Sequence, residues 1–61
     1  MNFIELHINS EPIALNVNLI ESIKPSSYAG KAQIFMAGSA ADEYWIVNES
    51  YEEVIEKIYS R

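Results

Sequence analysis

Between Tyr44 and Ile58 the hydrophobic period of this chain changes from that of a strand to that of a helix within two or three residues. Residues before Asn48 form a short apolar run rich in β-formers, whereas Tyr51, Val54, Ile55, Ile58 and Tyr59 follow the spacing of one helix face. Ser50 followed by Glu53 is a capping box, in which the serine oxygen accepts the Glu53 N–H and the glutamate reaches back to the serine amide. Asn48 is a rival cap two residues earlier. A helix that starts so sharply after a strand must pack back on what precedes it, so everything upstream has to supply a sheet.

Upstream, Ile4, Leu6 and Ile8 alternate with Glu5, His7 and Asn9, and Ile13, Leu15 and Val17 alternate with Ala14, Asn16 and Asn18. These are two strands, each with one buried face, forming a hairpin through a loop of about four residues, Asn9-Ser10-Glu11-Pro12. Leu19 to Lys24 is a third strand, with a short helical turn at 18–21 as the alternative, and Pro25 ends it. A loop over 25–30 leads to a fourth strand, Lys31 to Ala37, with Ala32, Ile34 and Met36 on one face and Gln33 and Phe35 on the other. Gly38-Ser39-Ala40-Ala41-Asp42 turns the chain into a fifth strand, Glu43 to Val47. The expected fold is α+β: a small antiparallel meander of four to five strands in a partly curled sheet, followed by one C-terminal helix, in a single domain over 1–61.

A chain of 61 residues buries only about 60% of the surface it exposes when unfolded, so its stability is marginal. There is no cysteine and only one histidine, which leaves self-association as the available reinforcement and implies a homo-oligomer. The lack of cysteine suits a reducing compartment, and Met1-Asn2-Phe3-Ile4-Glu5 has neither the basic start nor the apolar run of a signal peptide. Cytoplasmic residence and no direct membrane insertion are expected. Nine acidic against four basic residues give a net charge of −5, with Lys24, Lys31, Lys57 and Arg61 scattered, which argues against nucleic acid and for protein partners.

Two segments carry a family resemblance: Asn16-Val17-Asn18-Leu19-Ile20-Glu21-Ser22-Ile23 and Val47-Asn48-Glu49-Ser50-Tyr51-Glu52-Glu53-Val54-Ile55-Glu56-Lys57-Ile58. With the strand pair before them, they resemble the FlbD/SwrD family of small flagellar and swarming-motility proteins over nearly the whole chain. The chain departs from that pattern in having Ser10-Glu11 where the family has a tight glycine turn, and a longer connection at 38–42. The resemblance implies a non-enzymatic accessory that supports motility by protein–protein interaction. A self-associating interaction module unrelated to flagella is the alternative.

The residues themselves offer no enzyme. His7 is the only imidazole, no Cys/His pair or metal set is available, and no serine lies in a nucleophile-elbow context, so neither a catalytic residue nor a cofactor is expected. Gly30-Lys31 lacks the rest of a phosphate-binding loop, and Asn48-Glu49-Ser50 reads as a helix start rather than a glycosylation site. Candidate interaction residues are of two kinds. Glu49, Glu52, Glu53 and Glu56 fall along one side of the helix, as a solvated face or as a docking strip for a basic partner. Phe3, Phe35 and Trp45 lie opposite the inner face if the sheet stays open; a curled sheet, or a fifth strand with Trp45 and Val47 inward, buries them instead.

Overall fold

A computed structural model describes residues 2–28, 30–40 and 42–60. Met1 and Arg61, with Ala29 in the expected 25–30 loop and Ala41 in the expected 38–42 turn, lie outside the described residues. The elements are β1 (Phe3–Ile8), β2 (Glu11–Asn16), a short 3₁₀ turn (Val17–Leu19), β3 (Ile20–Pro25), β4 (Ala32–Met36), β5 (Trp45–Val47) and α1 (Tyr51–Tyr59). All strand pairs are antiparallel, in one sheet of β1 and β2 and another ordered β3-β4-β5.

The first connection is tighter than the sequence suggests. Ile8 pairs with Glu11, so the turn is Asn9-Ser10 alone and Glu11 and Pro12 belong to β2. Asn9 takes a left-handed backbone, φ +56°, which asparagine tolerates better than other residues bearing a Cβ. A tight turn is thus made without glycine.

The two sheets meet at β1 and β5. Along an antiparallel pair, amides point alternately toward and away from the partner strand. Val17 N–H donates to Asn2 O at 2.6 Å, which sets that alternation and turns both polar groups of His7 away from β2. The His7 carbonyl accepts the Asn48 N–H at 2.7 Å, so the strands follow one another in the order β2-β1-β5-β4-β3. Laid flat, the outer strands of such an order stand about 19 Å apart. The four residue steps from Asn16 to Ile20 reach at most about 14 Å. The sheet therefore curls, with the 3₁₀ turn as its corner, and Asn16 caps that turn by accepting the Asn18 N–H at 3.0 Å. Residues 17–19 are helical rather than the start of β3, which is the alternative reading of that stretch.

Inside the curl lie Ile4, Leu6, Leu15, Ala32, Ile34 and Val47, and α1 closes over β1, β3 and β4 with Val54 fully buried. Ile8, Ile13, Ile23, Met36 and Ile58 pack around them half-buried. Both halves of the capping box form, at 3.1 Å from Glu53 N to Ser50 Oγ and 2.9 Å from Ser50 N to Glu53 Oε1. Ser50, not Asn48, is the cap. Tyr59 ends the apolar helical spacing but stands outside the core, 80% exposed.

Candidate functional site

Antiparallel partners point to the same side of a sheet, so the register assigns each aromatic to a face. Phe35 stands opposite Ser22, on the outer face of β3-β4-β5 with Lys24 and Gln33. Its ring meets Tyr44 at 5.5 Å between centroids, tilted by 51°, and the Lys24 ammonium lies 5.3 Å over it. Trp45 pairs with Ile34 and so points to the inner face together with Val47, as in the second orientation that the sequence allows. Its neighbour Val47 is fully buried, yet Trp45 stays 42% exposed because β5 begins there and the sheet no longer covers it. Phe3 lies on the outer face of β1, 53% exposed and opposite Asn16. The three aromatics therefore do not share one surface.

Around the β4–β5 connection, Met36, Ser39, Asp42, Glu43, Tyr44 and Trp45 line a cleft of about 370 Å³. Tyr44 and Trp45 both line it, and both are exposed. Gly38, at φ +85°, turns the chain out of β4 where a side chain would be strained. The Ala40 N–H donates to Glu43 Oε1 at 3.3 Å and braces the turn. Sequence reasoning reached Trp45 but missed Tyr44, Asp42 and Glu43. The signal was present in Phe35 and Tyr44, but only the β4–β5 register brings these rings together.

The acidic strip does not survive as a unit. Glu49 precedes the helix and turns inward, its side chain only 12% exposed. One carboxylate oxygen accepts the His7 backbone N–H at 3.0 Å, and the other lies 2.7 Å from His7 Nδ1. Burial pushes this carboxyl up, but the hydrogen bonds from the His7 ring, the His7 amide and its own amide, with the charge of the imidazole, outweigh it and hold Glu49 below the usual glutamate value. An ionised carboxylate only accepts, so Nδ1 carries the proton of that bond. Glu53 is turned to the Ser50 amide rather than to Lys57. Glu52, Glu53 and Glu56 remain exposed on the helix, but Glu53 is engaged in the cap. His7 is thus a structural link and not a free strand residue.

Strand edges are guarded. The same alternation that frees His7 from β2 points the position-12 amide outward, and Ser26 N–H donating to Lys31 O at 3.0 Å does the same for position 25. Both positions are proline, on the two outer strands of the order above, and β3 also carries a bulge between Ile20 and Ser22. Proline, bulge and charge are features that block edge-to-edge pairing.

Among the described residues, no group of three or more His, Asp or Glu side chains is placed to hold a metal, and no helix is long and apolar enough to cross a membrane. No known protein-family model, no curated protein and no solved structure matches the chain.

Proposed function

We propose that this protein is a non-enzymatic interaction module that engages another protein through the cleft at the β4–β5 connection. The observation that carries this reading is the pair Tyr44 and Trp45, 48% and 42% exposed, both lining one cleft. Large aromatics exposed at a concave site are the usual anchors of protein interfaces. A net charge of −5 favours protein over nucleic-acid partners.

The narrower form of the proposal is a cytoplasmic accessory of flagellar motility, acting on motor or export components. It is supported by the likeness of Asn16–Ile23 and Val47–Ile58 to the FlbD/SwrD proteins, and the latter segment covers the β5–α1 junction. The test is cross-linked affinity capture of the tagged protein from its own host, read by mass spectrometry beside a Trp45→Ala control. Enrichment of motor or export proteins that the control loses is the expected result. A capture unchanged by Trp45→Ala would overturn the cleft as the contact.

A second reading is a self-associating module with no motility role. It is favoured by a mainly apolar groove of about 270 Å³ between β3 and α1, in which Val17, Ile20, Ile23, Ile55, Ile58 and the exposed Tyr59 are joined by Glu21 and Ser22. Sedimentation at high micromolar concentration distinguishes it: a monomer that still captures a partner through Trp45 removes this reading.

A further inference from the structure

We infer that the cleft between Met36 and Trp45 receives an arginine side chain of the partner; the inference rests on the interaction reading above and names the chemistry of what binds. Three observations converge on a cation with a flat face. The first is aromatic. The ring of Phe35 already has the Lys24 ammonium over it at 5.3 Å, whereas among the described residues no cation lies over Tyr44 or Trp45. Tryptophan offers the strongest ring surface for a cation, and the exposed Trp45 lines the cleft.

The second observation is electrostatic. Asp42 and Glu43 stand beside these rings, both exposed, and among the described residues neither forms an ion pair. Among the described residues Glu43 accepts one hydrogen bond, from the Ala40 N–H to Oε1 at 3.3 Å, which leaves its other oxygen as an acceptor. The two carboxylates give the cleft a negative charge, and among the described residues no lysine or arginine lines it. Size is the third. A volume of about 370 Å³ lies at the small end of side-chain and small-ligand pockets. The cleft therefore admits a side chain and its flanking backbone, not a helix.

Arginine fits these three features better than lysine. Its guanidinium stacks flat on an indole while its in-plane N–H groups remain free to donate in pairs to carboxylates, whereas an ammonium is a compact charge with neither the flat face nor the paired donors. Met36 supplies an apolar contact for the methylene stem. The overall charge of −5 draws a basic segment toward the protein before contact. A second copy of this chain fits the cleft less well, because each copy would bring the same net negative charge to the contact.

Trp45 is the only tryptophan, so its emission reports on the cleft directly. The probe is a short acetylated and amidated peptide with two arginines among glycine and serine. Three comparison peptides replace both arginines by citrulline, by lysine or by leucine. The expected result is a saturable change of Trp45 emission with the arginine peptide, weakened about tenfold by citrulline and less by lysine, as the loss of charge-assisted hydrogen bonds requires. Asp42→Asn with Glu43→Gln should weaken the arginine peptide by a similar factor at an unchanged melting temperature, since both side chains are exposed. Trp45→Phe, followed by calorimetry, should bind more weakly but retain the preference. Absence of a saturable change, or equal binding of citrulline or leucine peptides, overturns the inference. If the native partner is still captured through Trp45 by the Asp42→Asn, Glu43→Gln variant, the arginine assignment falls and the interaction reading stands.

Discussion

Glu49 grips His7 at two points, accepting the backbone N–H at 3.0 Å and the ring nitrogen's proton at 2.7 Å across 42 positions of sequence. His7 faces away from β2, and its carbonyl accepts the Asn48 amide. The carboxylate stands where a neighbouring strand would place a carbonyl. It thereby closes the seam between the two sheets just before the helix begins. Glu49→Ala leaves the His7 amide without its partner, which costs about 1–3 kcal/mol. Glu49→Gln keeps one acceptor and costs less. Urea melts of the three proteins measure this directly, and a loss below the noise of the method for Glu49→Ala would show that the seam holds without it.

The same pair gives an acid dependence. Because the folded protein holds Glu49 below the usual glutamate value, the unfolded chain takes up its proton first as the pH falls. The stabilisation is complete above the ordinary glutamate range. It declines as the pH drops through that range and is lost once the pH passes below the folded value. Other carboxylates contribute to acid unfolding, so the readout is a difference. The stability gap between the native protein and Glu49→Gln should narrow from pH 7 toward pH 3. A constant gap would contradict the shift.

Asn9 sits at φ +56° with its backbone clasped by the Asn48 amide: Asn9 N–H to Asn48 Oδ1 at 3.2 Å, and Asn48 Nδ2 to Asn9 O at 2.5 Å. A left-handed residue with a Cβ and no local compensation costs about 1–2 kcal/mol. Asn9→Ala should therefore destabilise by about 1 kcal/mol, and Asn9→Gly should be neutral within about 0.5 kcal/mol. Thermal melts of both variants test the assignment. Equal losses would mean that the asparagine side chain, not the backbone angle, matters.

Much of this architecture is legible because local patterns agree with it. The alternation of Ile4, Leu6 and Ile8, the Ser50–Glu53 box and the Val54–Ile58 spacing each specify one element without reference to the others. What escaped depends on partners distant in sequence. Nothing local says that Glu49 leaves the helix side to meet His7, because a glutamate before a cap serves equally well as a solvated charge. Glu53 was likewise spent on its cap rather than on Lys57. Trp45 and Val47 share a face by strand periodicity, but their different exposure follows from where β5 starts, which the apolar run 44–47 does not mark. The cleft is the least legible feature, since it exists only once the register sets Tyr44 beside Phe35.

Leu6 and Leu19 look alike in the sequence and differ in the fold. Leu6 is fully buried in the core, whereas Leu19 is 52% exposed at the 3₁₀ corner. Leu6→Ala should cost about 2–5 kcal/mol, most of what a domain of this size has. Leu19→Ala should stay within about 0.5 kcal/mol. Denaturation midpoints give both values. A large loss at Leu19 would indicate that another chain covers that corner in solution.

On each outer strand one outward amide position is a proline, Pro12 on β2 and Pro25 on β3, so each edge lacks a donor at that point where a second strand would dock. If that is what keeps the edges from pairing, restoring the donor should release association. Pro25→Val returns an N–H and a β-favouring side chain to an edge that then resists only through its bulge and Lys24. Pro25→Val, and more strongly the double variant with Lys24→Thr, should increase in mass with concentration by light scattering and bind thioflavin on standing. The native protein should not form such edge-paired species at the same concentration. A variant that keeps the native mass would place the protection in the curl of the sheet, which brings β2 and β3 toward each other at the corner.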